Sequence, residues 1–156
     1  MPNNVSWLRN KAKLTQAEVG ELVGASGQEI SLIELENRTP SVVTFILLAY
    51  LFGVSVVELD GKLSPKTIER YEAEDYIINS RSFKKQYGRN ASETATCRIV
   101  DIVTDKDITQ TRLATLVGIS RKMVYCYQKN IHRPSLEKAI RIAEVLEVTV
   151  EELYSF

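Results

Sequence analysis

Cysteine and histidine are scarce in this chain: its 156 residues include two cysteines, Cys97 and Cys126, and one histidine, His132. Three such ligands cannot complete a tetrahedral zinc site unless carboxylates join them, and two cysteines cannot build a disulfide framework. No nucleophile–base pair and no phosphate-cradling glycine loop can be picked out, so neither an enzyme nor a bound cofactor is expected. What is left is recognition by charge and hydrogen bonds. The run Arg81-Ser-Phe-Lys-Lys-Gln-Tyr-Gly-Arg89 interleaves cations with aromatics. That composition can follow a phosphate backbone, and it can equally be a solvated segment whose Phe83 and Tyr87 pack down.

Net charge points nowhere, because 20 Lys+Arg balance 20 Asp+Glu; a net value is silent about where the charges sit. The first residues lack the basic-then-apolar order of a signal peptide, and no uninterrupted apolar run approaches the roughly 18 residues a membrane span needs. A cytoplasmic protein with reduced thiols and no membrane contact is expected.

The elements that must position any recognition surface emerge from an internal repeat. Shifted by 94 positions, Leu14–Leu59 falls on Ile108–Leu153 without a gap, and 14 of the 46 aligned positions are identical. Leu-Thr-Gln-Ala-Glu-Val-Gly-Glu-Leu-Val-Gly-Ala-Ser lies over Ile-Thr-Gln-Thr-Arg-Leu-Ala-Thr-Leu-Val-Gly-Ile-Ser, Pro40-Ser41 over Pro134-Ser135, and Glu58-Leu59 over Glu152-Leu153. Twelve of the other 32 pairs exchange one apolar residue or glycine for another apolar residue, as core positions tolerate. Thr15 with Glu18 and Ser26 with Glu29 are capping boxes, each followed by apolar residues at helical spacing. They predict helices over about 15–23 and from Ser26 onward, separated at Gly24 by a short turn, the helix-turn-helix unit. A further helix is predicted from Ser41 to Gly53, and a last turn is capped by Ser55 and Glu58. The second copy predicts helices from Thr109, over 121–130 and over 136–146, and a turn capped by Thr149 and Glu152. Upstream helices at 5–12 and 92–104 bring the total to five per copy, and no segment alternates like a strand.

These linked positions resemble the helix-turn-helix domain of Cro and phage repressors, over roughly residues 5–60 and 98–154. The resemblance implies an all-α chain of two five-helix, lambda-repressor-like domains, at 1–61 and 92–156, joined by a largely helical connector at 62–91. Three positions depart from the family pattern. Gly20 stands where Ala is usual, Gln128 replaces the Glu that the first copy keeps as Glu34, and Glu147 replaces the Gly that ends the fourth helix.

The resemblance also implies the site. In this family the second helix of the motif enters the major groove while neighbouring groups hold phosphates. Carried over, Arg121, Lys122, Tyr125, Cys126 and Lys129 form the outward face of the second copy. Ser120 caps that helix, Gln110 matches a phosphate-contacting glutamine, and Asn130, His132 and Arg133 lie in the loop that follows the backbone. Arg and Lys can pair with guanine. The first copy offers Gln28, Ser31 and Leu32 to bases, with Gln16 and Arg38 to phosphates, but its reading helix has no cation. By region, Lys+Arg against Asp+Glu run four to seven over 1–61, seven to five over 62–97 and nine to eight over 98–156.

The predicted fourth helix of the first copy, Val42 to Phe52, is apolar almost all round, unlike its counterpart. Such a helix must be covered on every side. Phe45, Leu48, Tyr50 and Phe52 are therefore expected to pack on the connector, on the other domain or on a second molecule, with a homodimer favoured. Function on this reading is a sequence-specific, double-stranded-DNA-binding repressor whose second copy is the main reader. The alternative is a protein-binding module, antitoxin- or inhibitor-like, reusing the fold to hold a protein partner.

Overall fold

The computed structural model describes residues 3–37, 40–73, 76–87 and 90–156. The chain divides into two compact units, Met1–Pro40 with Thr44–Glu93 and Ser41–Val43 with Thr94–Phe156. Residues 62–91, read from the sequence as a separate connector, thus group with the first copy. Among the described residues no helix is long and apolar enough to cross a membrane.

The first unit is built from α1 (Val5–Lys11), α2 (Gln16–Val23), α3 (Gly27–Glu34), α4 (Val42–Phe52) and α5 (Val56–Asp60). Then come α6 (Pro65–Glu72) and α7 (Ser80–Tyr87), and α8 (Ala91–Thr94) leads to the second unit. Three full capping boxes start α2, α3 and α5. At the first of them Thr15 Oγ1 accepts from the Glu18 amide at 3.1 Å while the Glu18 carboxylate accepts from the Thr15 amide at 2.7 Å. Two orphan donors are satisfied at each such start. Gly20 follows from the turn between α2 and α3: a Cβ there would lie 2.6 Å from the Ala25 carbonyl oxygen, too close for any larger residue.

The second unit repeats this plan with α9 (Ile99–Asp105), α10 (Gln110–Val117), α11 (Arg121–Gln128), α12 (Leu136–Leu146) and a closing 3-10 turn, Val150–Leu153. The repeat extends to backbone conformation. Lys13 and Asp107, Gly24 and Gly118, Glu36 and Asn130, Gly53 and Glu147 all have positive φ, and the members of each pair are 94 positions apart. The Asn4 amide donates to the Leu59 carbonyl and the Arg98 amide to the Leu153 carbonyl, each at 2.8 Å, so first and last elements are tied alike.

Two differences from the sequence expectation stand out. The helix expected over 92–104 is interrupted by a short strand, β1 (Thr96–Cys97), which pairs antiparallel with β2 (Tyr154–Ser155), Cys97 opposite Tyr154. The residues after Leu153 supply this partner; in the first copy the chain instead runs on from Leu59 into α6. The second difference concerns α4. Phe45, Leu48 and Phe52 are buried within the chain, and α6 and α7 meet the last turn of α4. Tyr50 stacks on Tyr87 with ring centres 5.5 Å apart, and Phe83 lies beside Tyr87 at 4.8 Å. The Tyr71 hydroxyl donates to the Phe52 carbonyl at 2.5 Å, and the Arg70 guanidinium donates to the Gly53 carbonyl at 2.8 Å. Those carbonyls end a helix and would otherwise lack partners. In the second copy Arg141 and Glu144 occupy the places of Leu47 and Tyr50, so α12 keeps a polar face. Likewise Leu22 on α2 is buried, whereas its counterpart Leu116 on α10 is 46% exposed.

Candidate nucleic-acid interface

In the second unit, α10 begins at Thr109, whose hydroxyl accepts from the Arg112 amide at 3.0 Å. It ends at Gly118, whose φ of 81° lets the chain turn without a Cβ clash. Ser120 then caps α11 through the Met123 amide at 3.1 Å. This turn fixes which side chains α11 displays. Val124 and Tyr127 face the core, while Arg121, Lys122 and Lys129 are exposed and Tyr125 is 53% exposed. Cys126 does not join them: it is buried, one helical step round from Tyr125. Its thiol is packed as an apolar group. Gln110 is half-buried at the first position of α10, and Ser120 is exposed.

In the loop after α11, Asn130 is exposed and its side-chain amide donates to the Ala95 carbonyl at 3.2 Å. Arg133 is half-buried, and its charge bears on the Tyr154 phenol, which burial pushes well above its ordinary range. His132 is exposed. The departure at Gln128 has a structural answer. Its carbonyl oxygen accepts from the Val100 amide at 3.0 Å and its amide donates to the Cys97 carbonyl at 3.2 Å, tying the end of α11 to β1 and α9. The sequence showed the missing Glu but not this clamp, because β1 itself was not legible.

In the first unit the matching position carries charge. Glu34 accepts from Arg9 Nε at 2.5 Å and Nη2 at 3.2 Å, and from the Gln16 side-chain amide at 2.9 Å. Arg9 also donates to the Leu14 carbonyl at 2.9 Å. Gln16, half-buried at the first position of α2, is therefore held in place by the last residue of α3. Gln28 is exposed, while Ser31 and Leu32 are half-buried. Arg38 lies outside the described residues.

The acidic tally of the first copy has a structural explanation. Glu18, Glu29 and Glu58 close capping boxes, Glu34 is paired with Arg9, and Glu36 accepts from the Asn3 amide at 2.9 Å. In the second copy Arg112 and Met123 replace Glu18 and Glu29, so two helix starts lose their carboxylates. The sign difference between the copies thus falls partly on capping positions. Among the described residues no cluster of His, Cys, Asp and Glu is arranged to hold a metal ion.

Two helix-turn-helix units of one geometry, each with its second helix capped and outward, agree with a comparison to known families: the family described as Helix-turn-helix matches residues 5–59 and 102–153. The chain belongs to that helix-turn-helix family. A Sinorhizobium fredii (strain NBRC 101917 / NGR234) protein named "Uncharacterized HTH-type transcriptional regulator y4dJ" is 44% identical over 57 residues, 36% of this chain and 74% of that protein. Membership makes this helix-turn-helix protein a DNA-binding regulator.

Proposed function

We propose that the protein is a sequence-specific double-stranded-DNA-binding repressor in which α11 is the main reading helix. The observation that carries this is the composition of the exposed face of α11: Arg121, Lys122, Tyr125 and Lys129, with no acidic residue anywhere in the helix. In the groove, Arg121 and Lys122 donate to guanine acceptors and Tyr125 meets a base edge or a sugar. Gln110, Ser120, Lys129 and Arg133 donate to phosphates, and repression follows from occlusion of a promoter. The first copy adds a second contact. Gln28 pairs with adenine in this reading, Ser31 and Leu32 flank it, and Gln16, held by Glu34, meets a phosphate with Arg38. Two readers in one chain raise affinity through effective concentration.

For α4, Phe45, Leu48 and Phe52 are buried in the chain and Tyr50 stacks on Tyr87, and a homodimer stays part of this reading. One observation favours the rival protein-binding reading for the first copy: α3 has no cation, and Leu35 at its end is 65% exposed. Selection of bound sequences from random duplex DNA tests both readings. A recovered site that loses affinity on Arg121→Ala/Lys122→Ala supports the proposal, and no duplex binding by the parent chain at low salt refutes it. Loss of one half-site on Gln28→Ala assigns α3 to DNA; an unchanged site turns α3 toward a protein partner.

A further inference from the structure

The helix-turn-helix pattern does not account for α7, Ser80–Tyr87, which reads Ser-Arg-Ser-Phe-Lys-Lys-Gln-Tyr. Eight residues of this composition do not hold a helix unaided in water. Docking orders it: Phe83 is buried, and Tyr87 stacks on Tyr50 of α4. The opposite side is exposed at Arg81, Ser82, Lys85 and Gln86. Three cations and no acid on a fixed eight-residue helix differ from a solvated linker, where mixed signs serve solubility.

Its location matters as much as its charge. Ser80 and Lys84 line a shallow groove with Leu14, Glu18, Glu21 and Leu22, beside the start of α2. Gln16 sits in that same first turn, the part of α2 that faces phosphate in the proposed docking. The acids facing α7 from α2 are only partly free to cancel it. Glu18 accepts from the Thr15 amide in its capping box, and Glu21 meets Lys84 at 3.5 Å with both side chains about half exposed, a geometry worth little in water. Arg81 and Lys85 face solvent.

We infer that α7 is an accessory DNA-contacting element, which lays Arg81, Lys84 and Lys85 along the phosphate backbone next to the α2 contact. It gives the first unit the cations that α3 lacks. Residues 1–61 carry three more acids than cations, and α7 supplies three cations within the same unit. The inference rests on the DNA-binding reading above. Such contacts carry no sequence information but anchor the duplex and raise salt sensitivity.

The test compares the full chain with Arg81→Ala/Lys84→Ala/Lys85→Ala and with the charge-preserving Arg81→Lys/Lys84→Arg/Lys85→Arg, by fluorescence anisotropy on a selected and a random duplex from 50 to 200 mM salt. Each lost phosphate contact lowers the slope of log affinity against log salt by roughly 0.9. The alanine variant is therefore expected to lose about 2–3 units of slope. It should weaken on both duplexes by the same factor and keep its circular dichroism melt, while the charge-preserving variant keeps the parental slope. An unchanged slope in the alanine variant, with Arg121→Ala/Lys122→Ala still impairing binding, overturns the role of α7 alone. Absence of duplex binding by the parent at low salt overturns the DNA-binding reading with it.

Discussion

Glu34→Gln asks whether the Arg9–Glu34 pair stabilises the first unit or is a liability retained for position. The side chains are 14% and 7% exposed, so removing one charge strands the other where water cannot reach it well. Breaking such a pair typically costs about 3–5 kcal/mol. Glutamine keeps one acceptor, and Arg9 keeps the Leu14 carbonyl, which places the expected loss near the lower end, about 3 kcal/mol. The repeat supplies the control, because the corresponding second-copy residues are Val103 and Gln128. Arg9→Val/Glu34→Gln removes the stranded charge, but it lacks the β1 partners that satisfy Gln128, so it should cost only about 1 kcal/mol. The double variant is thus expected to be more stable than the single one by about 2 kcal/mol. Urea unfolding followed by tryptophan fluorescence reads the right unit, because the sole tryptophan, Trp7, lies two residues from Arg9 on α1. A double variant no more stable than Glu34→Gln would refute the argument that the stranded charge dominates.

Three further outcomes can be checked by unfolding. Glu147 ends α12 in the left-handed region, φ 56°, where the first copy has Gly53; Glu147→Gly should stabilise the second unit by about 0.5–1 kcal/mol in thermal melts. Burial pushes the Glu58 carboxyl up, but hydrogen bonds from Ser64, Thr67 and Ser55 outweigh it and hold the pKa at about 2, below its ordinary 4.5. Stability from this group is complete above the unfolded value and is lost as pH falls from about 4.5 toward 2, by about 1–2 kcal/mol after allowing for its partial exposure; Glu58→Gln should flatten that limb of the stability–pH curve. The Tyr154 hydroxyl is buried with no hydrogen-bond partner among the described residues, so Tyr154→Phe should be neutral or stabilising by up to about 1 kcal/mol, and a clear loss in urea titrations would contradict it.

The helices of both copies were legible because caps and apolar periodicity are local signals: Thr15 with Glu18 and Ser120 after Gly118 announce their helices without tertiary help. The outward face of α11 was legible too, since the fold assigns it, except at Cys126, where a small side chain can turn either way and packing decides. Structure that depends on distant partners was not readable. β1 exists because Tyr154 and Ser155 return to it, and without β1 the clamp made by Gln128 has no meaning. The covering of α4 was foreseen as a need, but Phe83 and Tyr87 looked as much like DNA-tracking aromatics as packing ones. Charge counting misled in the first copy, because carboxylates committed to helix starts and to Arg9 carry the same sign in a tally as free ones.

The seating of α6 and α7 on α4 also sets where the protein can be cut. Ending a fragment at Gly61, the natural edge of a five-helix repeat, would strip Tyr71 and Arg70 from the carbonyls of Phe52 and Gly53 and leave the Tyr50 ring without Tyr87. Such a fragment carries an adhesive apolar face and should self-associate. The smallest piece of the first unit that keeps these contacts runs through Tyr87, whereas the second copy, with Arg141 and Glu144 at the equivalent surface, has no such requirement. Although the copies share one backbone plan, their faces are not exchangeable: a helix like α7 would find Glu144 on α12 where it finds Tyr50 on α4.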